Sequence, residues 1–445
     1  MSRKITVGAA LALALLMVAA SIPLTMMLAQ REQNKLIPKL PELMGKFKAL
    51  EEIQRKVYDE FYQAPTEDAV NAAMVRGYIA GLGDPESRYL NAEEYQSFMS
   101  RLAGKEPELG IVLRYSPDVL GLVIDQVKAG STAALSGLQP GDHLLKAVSG
   151  GKELESIQPE VAPDKAPEAI SKFEEETAIT ADTSALSITI TYERDGLPKP
   201  PVNVMFGSTV SSISYGLKKA WVNGEETDAK TVGYIKIFHF FRNTGSQIAA
   251  AIRDLYNRGA VSYILDVRGC SEGNLEYVCE AIDLFAYDGA LATVRYRDGT
   301  TVPKPSTSGN MMSYATGGYV VVLIDKRTRG VAELFAYDLR EFNRRKVFLI
   351  GEPTKGVKTV QEPFPLSSVG GAALLTVGTV VPYGGDENWN EGGVQPNDIA
   401  KDKEKGIVPK EKEGIVYSIA STGQQLQGAL NFLDIMSNEQ RKPEE

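Results

Sequence analysis

Two stretches of the chain have the residue types and spacing that α/β enzymes use for nucleophilic catalysis. Residues 320–333 form a β-branched apolar run, a polar turn and a helix start. Such a junction often holds a nucleophile, because a helix N-terminus offers free N–H groups and the positive end of a dipole. The position after the turn is Gly330, however, which has no side chain and cannot attack a substrate. The second stretch, Gly351–Gln361, carries Lys358, which could act as a base.

Other side chains near these stretches are weaker candidates for catalysis. Thr328 precedes the turn, and Cys270 and Ser271 lie on a loop after another predicted strand. A turn or capping role explains each of the three more simply. The two histidines, His143 and His239, lie in or beside predicted strands, so we expect both to be structural.

Composition limits the range of possible functions. A chain of 445 residues is long enough for two or three domains. Its net charge of −9 argues against nucleic-acid binding, which needs a basic face. Two cysteines and two histidines are too few for a disulfide framework or a zinc site. We therefore expect no metal and no other cofactor.

The N-terminus predicts a membrane anchor. Arg3 and Lys4 precede an uncharged apolar run over residues 5–29, which is long enough to span a bilayer. The flanking charges place the N-terminus in the cytoplasm and the rest of the chain outside it. We predict an uncleaved signal anchor over residues 1–30 and a single-pass cell-membrane protein. A cleaved signal peptide with a secreted product is the alternative.

The remainder of the chain predicts a mixed α/β protein with several regions. An amphipathic helix begins near Leu43, a second is predicted over 67–80, and a helical region thus covers 40–103. Short strands separated by one small helix then suggest a partly open barrel over 104–207. From Gly233 onward strands alternate with crossover helices, which implies a mostly parallel sheet over 208–400. A charged linker and a last helix, 424–436, complete residues 401–445.

This arrangement resembles the carboxyl-terminal processing peptidases, or tail-specific proteases, over roughly residues 40–400. Gly81–Leu90 looks like that family's junction to its PDZ domain, and Ser131–Asp142 is similar to a PDZ segment. The resemblance implies a PDZ-like domain over 104–207 and a peptidase-like core of the ClpP/crotonase-like type over 208–400. Three segments are similar to landmarks of the family's core: Gly233–Phe238, Ile264–Arg268 and Gly393–Asp398.

The same resemblance exposes the loss of the catalytic groups. The family uses a serine nucleophile and a lysine base, and Thr328–Glu333 fills the serine frame with Gly330 at the serine position. In Gly351–Gln361 the lysine position is Val357, whereas Gln361, which orients the lysine in the family, is kept. Lys358 follows one residue later, and in an extended segment such a shift turns the side chain to the opposite face.

The loop that supports the oxyanion in the family is altered as well. Cys270–Gly273 replaces Asn-Pro-Gly-Gly, so Glu272 brings a carboxylate to a place where negative charge develops during peptide hydrolysis. Arg329 is unusual at a helix start, where cations are unfavourable, and we expect it to bind a carboxylate, with Glu272 as the candidate.

The sequence therefore predicts a pseudopeptidase that acts as a peptide- or protein-binding regulatory or assembly subunit. A PDZ-like domain captures protein C-termini or extended peptides by strand addition, and its carboxylate loop would include Leu109, Gly110, Ile111 and Val112. Possible partners are an active peptidase paralogue and further subunits of a homo- or hetero-oligomer. One alternative is an active serine-type or threonine-type endopeptidase with a displaced dyad and Lys358 as its base. Another is a structural oligomer held by the N-terminal helices and the helix at 424–436.

Overall fold

A computed structural model describes most of the chain beyond the N-terminus. It covers residues 45, 47–63, 65–105, 108–128, 130–182, 187–206, 211–222, 225–286, 289–307, 318–385, 389–390, 392–397 and 422–439. The chain divides into two compact units, Met1–Met74 and Val75–Glu445. The predicted anchor, residues 1–30, and the predicted charged linker, 401–413, lie outside the described residues.

The first unit contributes helix α1, Lys48–Glu60, and the start of helix α2, Glu67–Ala80. The apolar stripe of α1 that the sequence predicts is present, and Leu50 and Ile53 on it are exposed. Glu51 and Arg55 form an ion pair one turn apart on its polar face. In the part of the chain that the structure describes, no helix has the length and apolar character needed to cross a membrane.

The centre of the second unit is a mostly parallel five-stranded sheet in the order β15–β14–β11–β10–β9. Strand β9 is antiparallel to β10, and the other neighbours are parallel. Nearly every residue of β11, β14 and β15 is buried, as expected when a parallel sheet is covered on both faces. The strands are β9 Ile213–Val222, β10 Glu225–Ile237, β11 Ala260–Asp266, β14 Val320–Ile324 and β15 Val347–Gly351.

Helices cover both faces of this sheet. One face packs against α6, Thr244–Asn257, α7, Leu275–Asp283, and α8, Val331–Phe342. The other face packs against the last helix, α9, Thr422–Glu439, through Phe432 and Leu433. Because this helix is part of the core, it does not offer the free surface that the structural-oligomer alternative required at residues 424–436.

A second, antiparallel sheet stands beside the first and was not expected from the sequence. Its central strand, β17, pairs with β16 on one side and with β1 and β12 on the other, and β12 pairs with β13. Helix α3, Ala92–Leu102, follows β1 and begins with a capping box formed by Asn91 and Glu94. The strands are β1 Arg88–Leu90, β12 Ala290–Tyr296, β13 Thr301–Pro305, β16 Thr359–Pro365 and β17 Ala372–Pro382.

Residues 108–206 form a third sheet with its own core, which we call the β-region. Its strands run in the order β2–β3–β4–β6–β7, with β5 beside β4 and β8 beside β6. The elements are β2 Ile111–Ser116, β3 Gly121–Val127, α4 Thr132–Leu135, β4 His143–Ser149, β5 Lys152–Glu153, α5 Ala166–Asp182, β6 Ser187–Arg194, β7 Leu197–Pro198 and β8 Val202–Met205. A short hairpin of β18 Trp389–Asn390 and β19 Gly393–Val394 packs near α8.

Candidate active site

The turn after β14 is fixed by buried polar groups. The Asp325 carboxylate accepts the N–H groups of Gly269, Arg327 and Thr328, at 2.9–3.1 Å. The Thr328 hydroxyl donates to the Val267 carbonyl at 3.0 Å and is fully buried. Thr328 therefore holds two loops together, and its oxygen is not accessible to a substrate.

Gly330 occupies a strained turn at the start of α8. Its backbone has φ 62° and ψ −120°, in the region that glycine adopts at little cost. A Cβ atom added at this position would meet nothing within 4 Å. The turn therefore has open space in front of Gly330, which has no side chain that could act as a nucleophile.

The Glu333 carboxylate accepts hydrogen bonds from both stretches that the sequence indicates as candidate sites, 320–333 and 351–361. This fully buried carboxylate accepts the Gly330 N–H at 2.8 Å, the Val357 N–H at 2.8 Å and the Gly356 N–H at 2.6 Å. It also accepts the Thr354 hydroxyl. Gly330 and Val357 donate to the same oxygen, Oε2, so the structure brings the serine and lysine positions of the resemblance next to each other. Glu333 belongs to the segment Thr328–Glu333 that is similar to the family's serine motif, but the sequence did not predict that its carboxylate binds both stretches.

The side chains of the segment 357–361 do not all face the cleft. Val357 and Gln361 line the cleft, and the Gln361 amide donates to the Thr359 hydroxyl at 3.0 Å. The Lys358 ammonium lies 5.7 Å from the centre of the Trp389 ring, and Lys358 is not among the cleft-lining residues. The one-residue shift therefore places the lysine on the other side of the segment from Val357.

The loop after β11 also faces the cleft. Ser271 and Glu272 are exposed there, whereas Cys270 is buried. Burial raises the pKa of the Cys270 thiol to about 12, which keeps it protonated and unreactive. Gly273 leaves no room for a side chain, because a Cβ there would lie 2.8 Å from Cβ of Phe240.

Arg329 pairs with a carboxylate that the sequence did not suggest. Its guanidinium binds Glu86, from the segment before β1, and not Glu272. Both partners line the cleft beside Gly330. The expectation that Arg329 binds a carboxylate was right, but the chosen partner was wrong, because the approach of residues 84–88 to this turn is a tertiary contact.

The cleft itself has a volume of about 420 Å³. The antiparallel sheet forms one wall, and the start of α8 with the loop before α7 forms the other. Leu374 and Val380 on β17 both line it, and they lie six residues apart, so the cleft runs about 20 Å along that strand. Charged lining residues of both signs are Glu86, Arg88, Arg101, Glu272, Glu276, Lys304, Arg329 and Glu362.

A buried ionic network lies at the carboxyl end of β11. Arg268 binds both oxygens of Asp266, at 2.9 and 2.6 Å, and Lys236 binds one of them at 3.2 Å. Burial alone would raise the pKa of Asp266, but Lys236 and Arg268 outweigh it and hold the pKa at about 2. Arg268 also donates to Gln425 at 3.1 Å, which ties α9 to the sheet. Spacing in the sequence did not reveal this network.

The predicted peptide-binding residues form the start of β2. Leu109 and Gly110 are buried, whereas Ile111 and Val112 are half-buried. Gly110 has φ 81°, and a Cβ there would lie 2.1 Å from Cβ of Ser131. Strand β2 pairs with β3, is the outer strand of its sheet, and packs near α5. Apolar side chains of both elements, Ile111, Leu113, Ala169 and Ile170, are only partly buried there.

Comparison with known proteins identifies the class to which this fold and cleft belong. Residues 231–400 match the model of Peptidase family S41. Over these residues the chain is similar to the carboxyl-terminal processing peptidases, and the mixed α/β fold described above is of the S41 protease-like kind.

Individual relatives share low sequence identity with this chain, but the matches extend over most of its length. The chain is 25% identical over 395 residues to the carboxy-terminal processing protease CtpA of Bacillus subtilis (strain 168), covering 87% of this chain and 76% of that protein. It is 24% identical over 383 residues to a carboxyl-terminal-processing protease of Picosynechococcus sp., covering 85% and 80%. Among solved structures, a putative S41 protease from Bacteroides fragilis matches with TM-score 0.48 and 19% identity, over 85% of this chain and 92% of that one.

Proposed function

We propose that this chain is a proteolytically inactive carboxyl-terminal processing peptidase homologue that binds peptides or protein C-termini as a regulatory or assembly subunit. The observation that carries the proposal is the pairing of Gly330 with Val357 on one carboxylate, Glu333. The scaffold brings the two catalytic positions together, and neither carries a reactive side chain. A serine–lysine mechanism needs both groups within hydrogen-bond reach.

A displaced dyad finds little support in the surrounding side chains. Thr328 is buried in its turn and the Cys270 thiol is protonated, which leaves Ser271 as the accessible hydroxyl on the neighbouring loop. The ammonium of Lys358 lies over Trp389 and outside the cleft lining. An active enzyme would therefore need a base from another part of the cleft wall.

The test is turnover of a reporter protein with an apolar C-terminus by the purified full-length chain. We expect cleavage no faster than in buffer, and no difference between the wild type, Ser271→Ala and Lys358→Ala. Cleavage by the wild type that either substitution abolishes would overturn the proposal and establish the displaced-dyad alternative.

Peptide binding is proposed for the outer edge of β2, with Leu109–Val112 as the carboxylate loop. An edge strand offers unpaired backbone groups to an extended peptide, and the partly buried Ile111 and Leu113 would receive its apolar side chains. This proposal treats the β-region as a PDZ-like domain.

Binding can be measured with a labelled peptide that ends in apolar residues. We expect Ile111→Glu to weaken binding at least ~10-fold, because it places a charge beside the peptide carboxylate. Leu197→Glu is the matched control, since Leu197 is an exposed apolar residue on β7 of the same region. An amidated peptide that binds as well as the free acid would contradict the carboxylate loop.

We further propose that residues 1–30 anchor the chain in the cell membrane and place residues 31–445 outside the cytoplasm. The support is the uncharged run of 5–29 behind Arg3 and Lys4. Fractionation of cells tests it: we expect the intact chain in the membrane fraction, and accessible to protease added outside. A shortened chain in the medium would support the cleaved form.

A further inference from the structure

Charged and aromatic side chains connect the β-region to the core. The Lys128 ammonium lies 2.5 Å from the Glu108 carboxylate and 5.2 Å from the centre of the Phe238 ring. Glu108 also accepts the Ser211 N–H at 2.6 Å. A second bond runs from the Ser214 hydroxyl to Gln126 at 2.8 Å. The contact therefore depends on polar groups that are largely removed from water.

His239 follows Phe238, whose ring faces the Lys128 ammonium across this contact, and the ring centres of Phe238 and His239 are 6.5 Å apart. The His239 ring stacks on Phe241, with the ring centres 4.0 Å apart and the planes at 20°. The Nε2 atom is buried and has no hydrogen-bond partner among the described residues. Two cations act on the imidazole through their charge, Lys128 from the end of β3, which is itself paired with Glu108, and Arg101 from α3.

We propose that the contact between the β-region and the core is an acid-sensitive latch triggered by protonation of His239. A protonated imidazole would add a third positive charge near Lys128 and Arg101, with a buried Nε2–H for which the described residues offer no acceptor. Separation of the β-region from the core hydrates the ring and relieves both costs. The latch is independent of whether the chain cleaves or binds peptides.

The pH range follows from the protonation of the two states. Burial, then Lys128 and then Arg101 lower the pKa of His239 well below 6.5 in the closed contact. In the separated state the exposed ring titrates near its ordinary pKa of about 6.5. The separated state thus binds more protons, and it gains about tenfold in population for each pH unit below 6.5, until the closed-state pKa is reached.

Separation of the β-region from the core would affect both the cleft and the loop at Leu109–Val112. Phe241 and Arg101, which contact or face His239, also line the cleft. The Lys128 N–H donates to the Gly110 carbonyl of the carboxylate loop at 2.8 Å. Acid would therefore alter the cleft wall and the loop in one event.

Amide hydrogen exchange of the full-length protein tests the latch. The Ser211 N–H is bonded to Glu108 across the contact, so its protection factor, corrected for the intrinsic pH dependence of exchange, reports opening. We expect that factor to fall about tenfold between pH 7.5 and 5.5 in the wild type, and to stay constant in His239→Phe. The Gln139 N–H, bonded to Asp142 at 2.8 Å within the β-region, is the internal control and should not change.

Two further variants keep the test decisive. If His239→Phe does not fold, His239→Gln is used in its place. This variant should likewise show a Ser211 protection factor that does not change with pH. His143→Gln, which changes the other histidine, should keep the pH dependence of that factor. A constant Ser211 protection factor in the wild type, or a fall that persists without His239, would overturn the proposal.

Discussion

Gly110 and Gly330 both have positive φ angles, but their surroundings are opposite. A Cβ at Gly110 would lie 2.1 Å from Cβ of Ser131, whereas one at Gly330 would meet nothing within 4 Å. Packing therefore requires a glycine in the carboxylate loop and does not require one in the catalytic turn. The difference teaches that packing explains the glycine at position 110 but not the glycine at position 330.

The turn at Gly330 has open space on its cleft side, and the Glu333 carboxylate holds its backbone from the buried side. Glu333→Ala leaves four donors without this buried acceptor, so we expect the free energy of unfolding to fall by about 3–5 kcal/mol. Glu276→Ala, an exposed carboxylate on the same cleft, should change it by less than ~0.5 kcal/mol. Urea denaturation of both variants makes the measurement, and equal losses would show that Glu333 does not hold the turn.

The contrast between the two glycines is tested by making the same substitution at each. Gly110→Ala combines a positive φ with a severe contact, so it should destabilise the protein by at least about 3 kcal/mol. At Gly330→Ala the added Cβ meets no atom within 4 Å, so only the backbone cost of φ 62° and ψ −120° remains, about 1–3 kcal/mol. Thermal unfolding of the two variants compares them, and a loss at Gly330 as large as that at Gly110 would break the comparison.

The core beneath the catalytic turn should also depend on pH through Asp266. Its pKa is about 2 when folded and near 3.8 when unfolded, so its stabilisation is complete above pH 4 and is lost as pH falls towards 2. The contribution is about 2 kcal/mol. Asp266→Asn should remove that part of the pH dependence of unfolding between pH 4 and 2. An unchanged slope would show that other carboxylates cause it.

We expect the smallest change in the free energy of unfolding for the ion pair at the mouth of the cleft. The Arg329–Glu86 pair is partly exposed, with 38% and 17% of the side chains accessible, so solvent screens it. A double-mutant cycle with Arg329→Ala and Glu86→Ala should give a coupling energy of about 0.5–1 kcal/mol. A coupling near zero would mean that the ion pair contributes nothing to the turn.

Much of the element pattern follows from the sequence. Helix α2 spans Glu67–Ala80 as predicted, and β11, β14, β15 and helices α6 to α8 lie within a few residues of their predicted bounds. Their apolar runs and helical periodicity are local signals. Strand β10 begins at Glu225, eight residues before the predicted start at Gly233, and β9 was not predicted. The resemblance to the family rested on segments such as Gly233–Phe238, Ile264–Arg268 and Gly393–Asp398, and residues 231–400 match the model of Peptidase family S41.

The antiparallel sheet could not be predicted in the same way. Its strands pair across long separations, as Arg88 does with Leu374, and a pairing of that kind leaves no local pattern. The wall of the cleft, the partner of Arg329 and the ionic network of Asp266 all depend on such contacts.

The sequence by itself determined that Gly330 and Val357 carry no reactive side chain, because reactivity is a property of the residue type. Only the tertiary structure decided that these positions still meet, that Lys358 lies over Trp389, and that Glu333 binds both backbone segments. The reason is physical: reactivity belongs to a side chain, whereas the approach of two segments depends on the packing and hydrogen bonds of the whole fold.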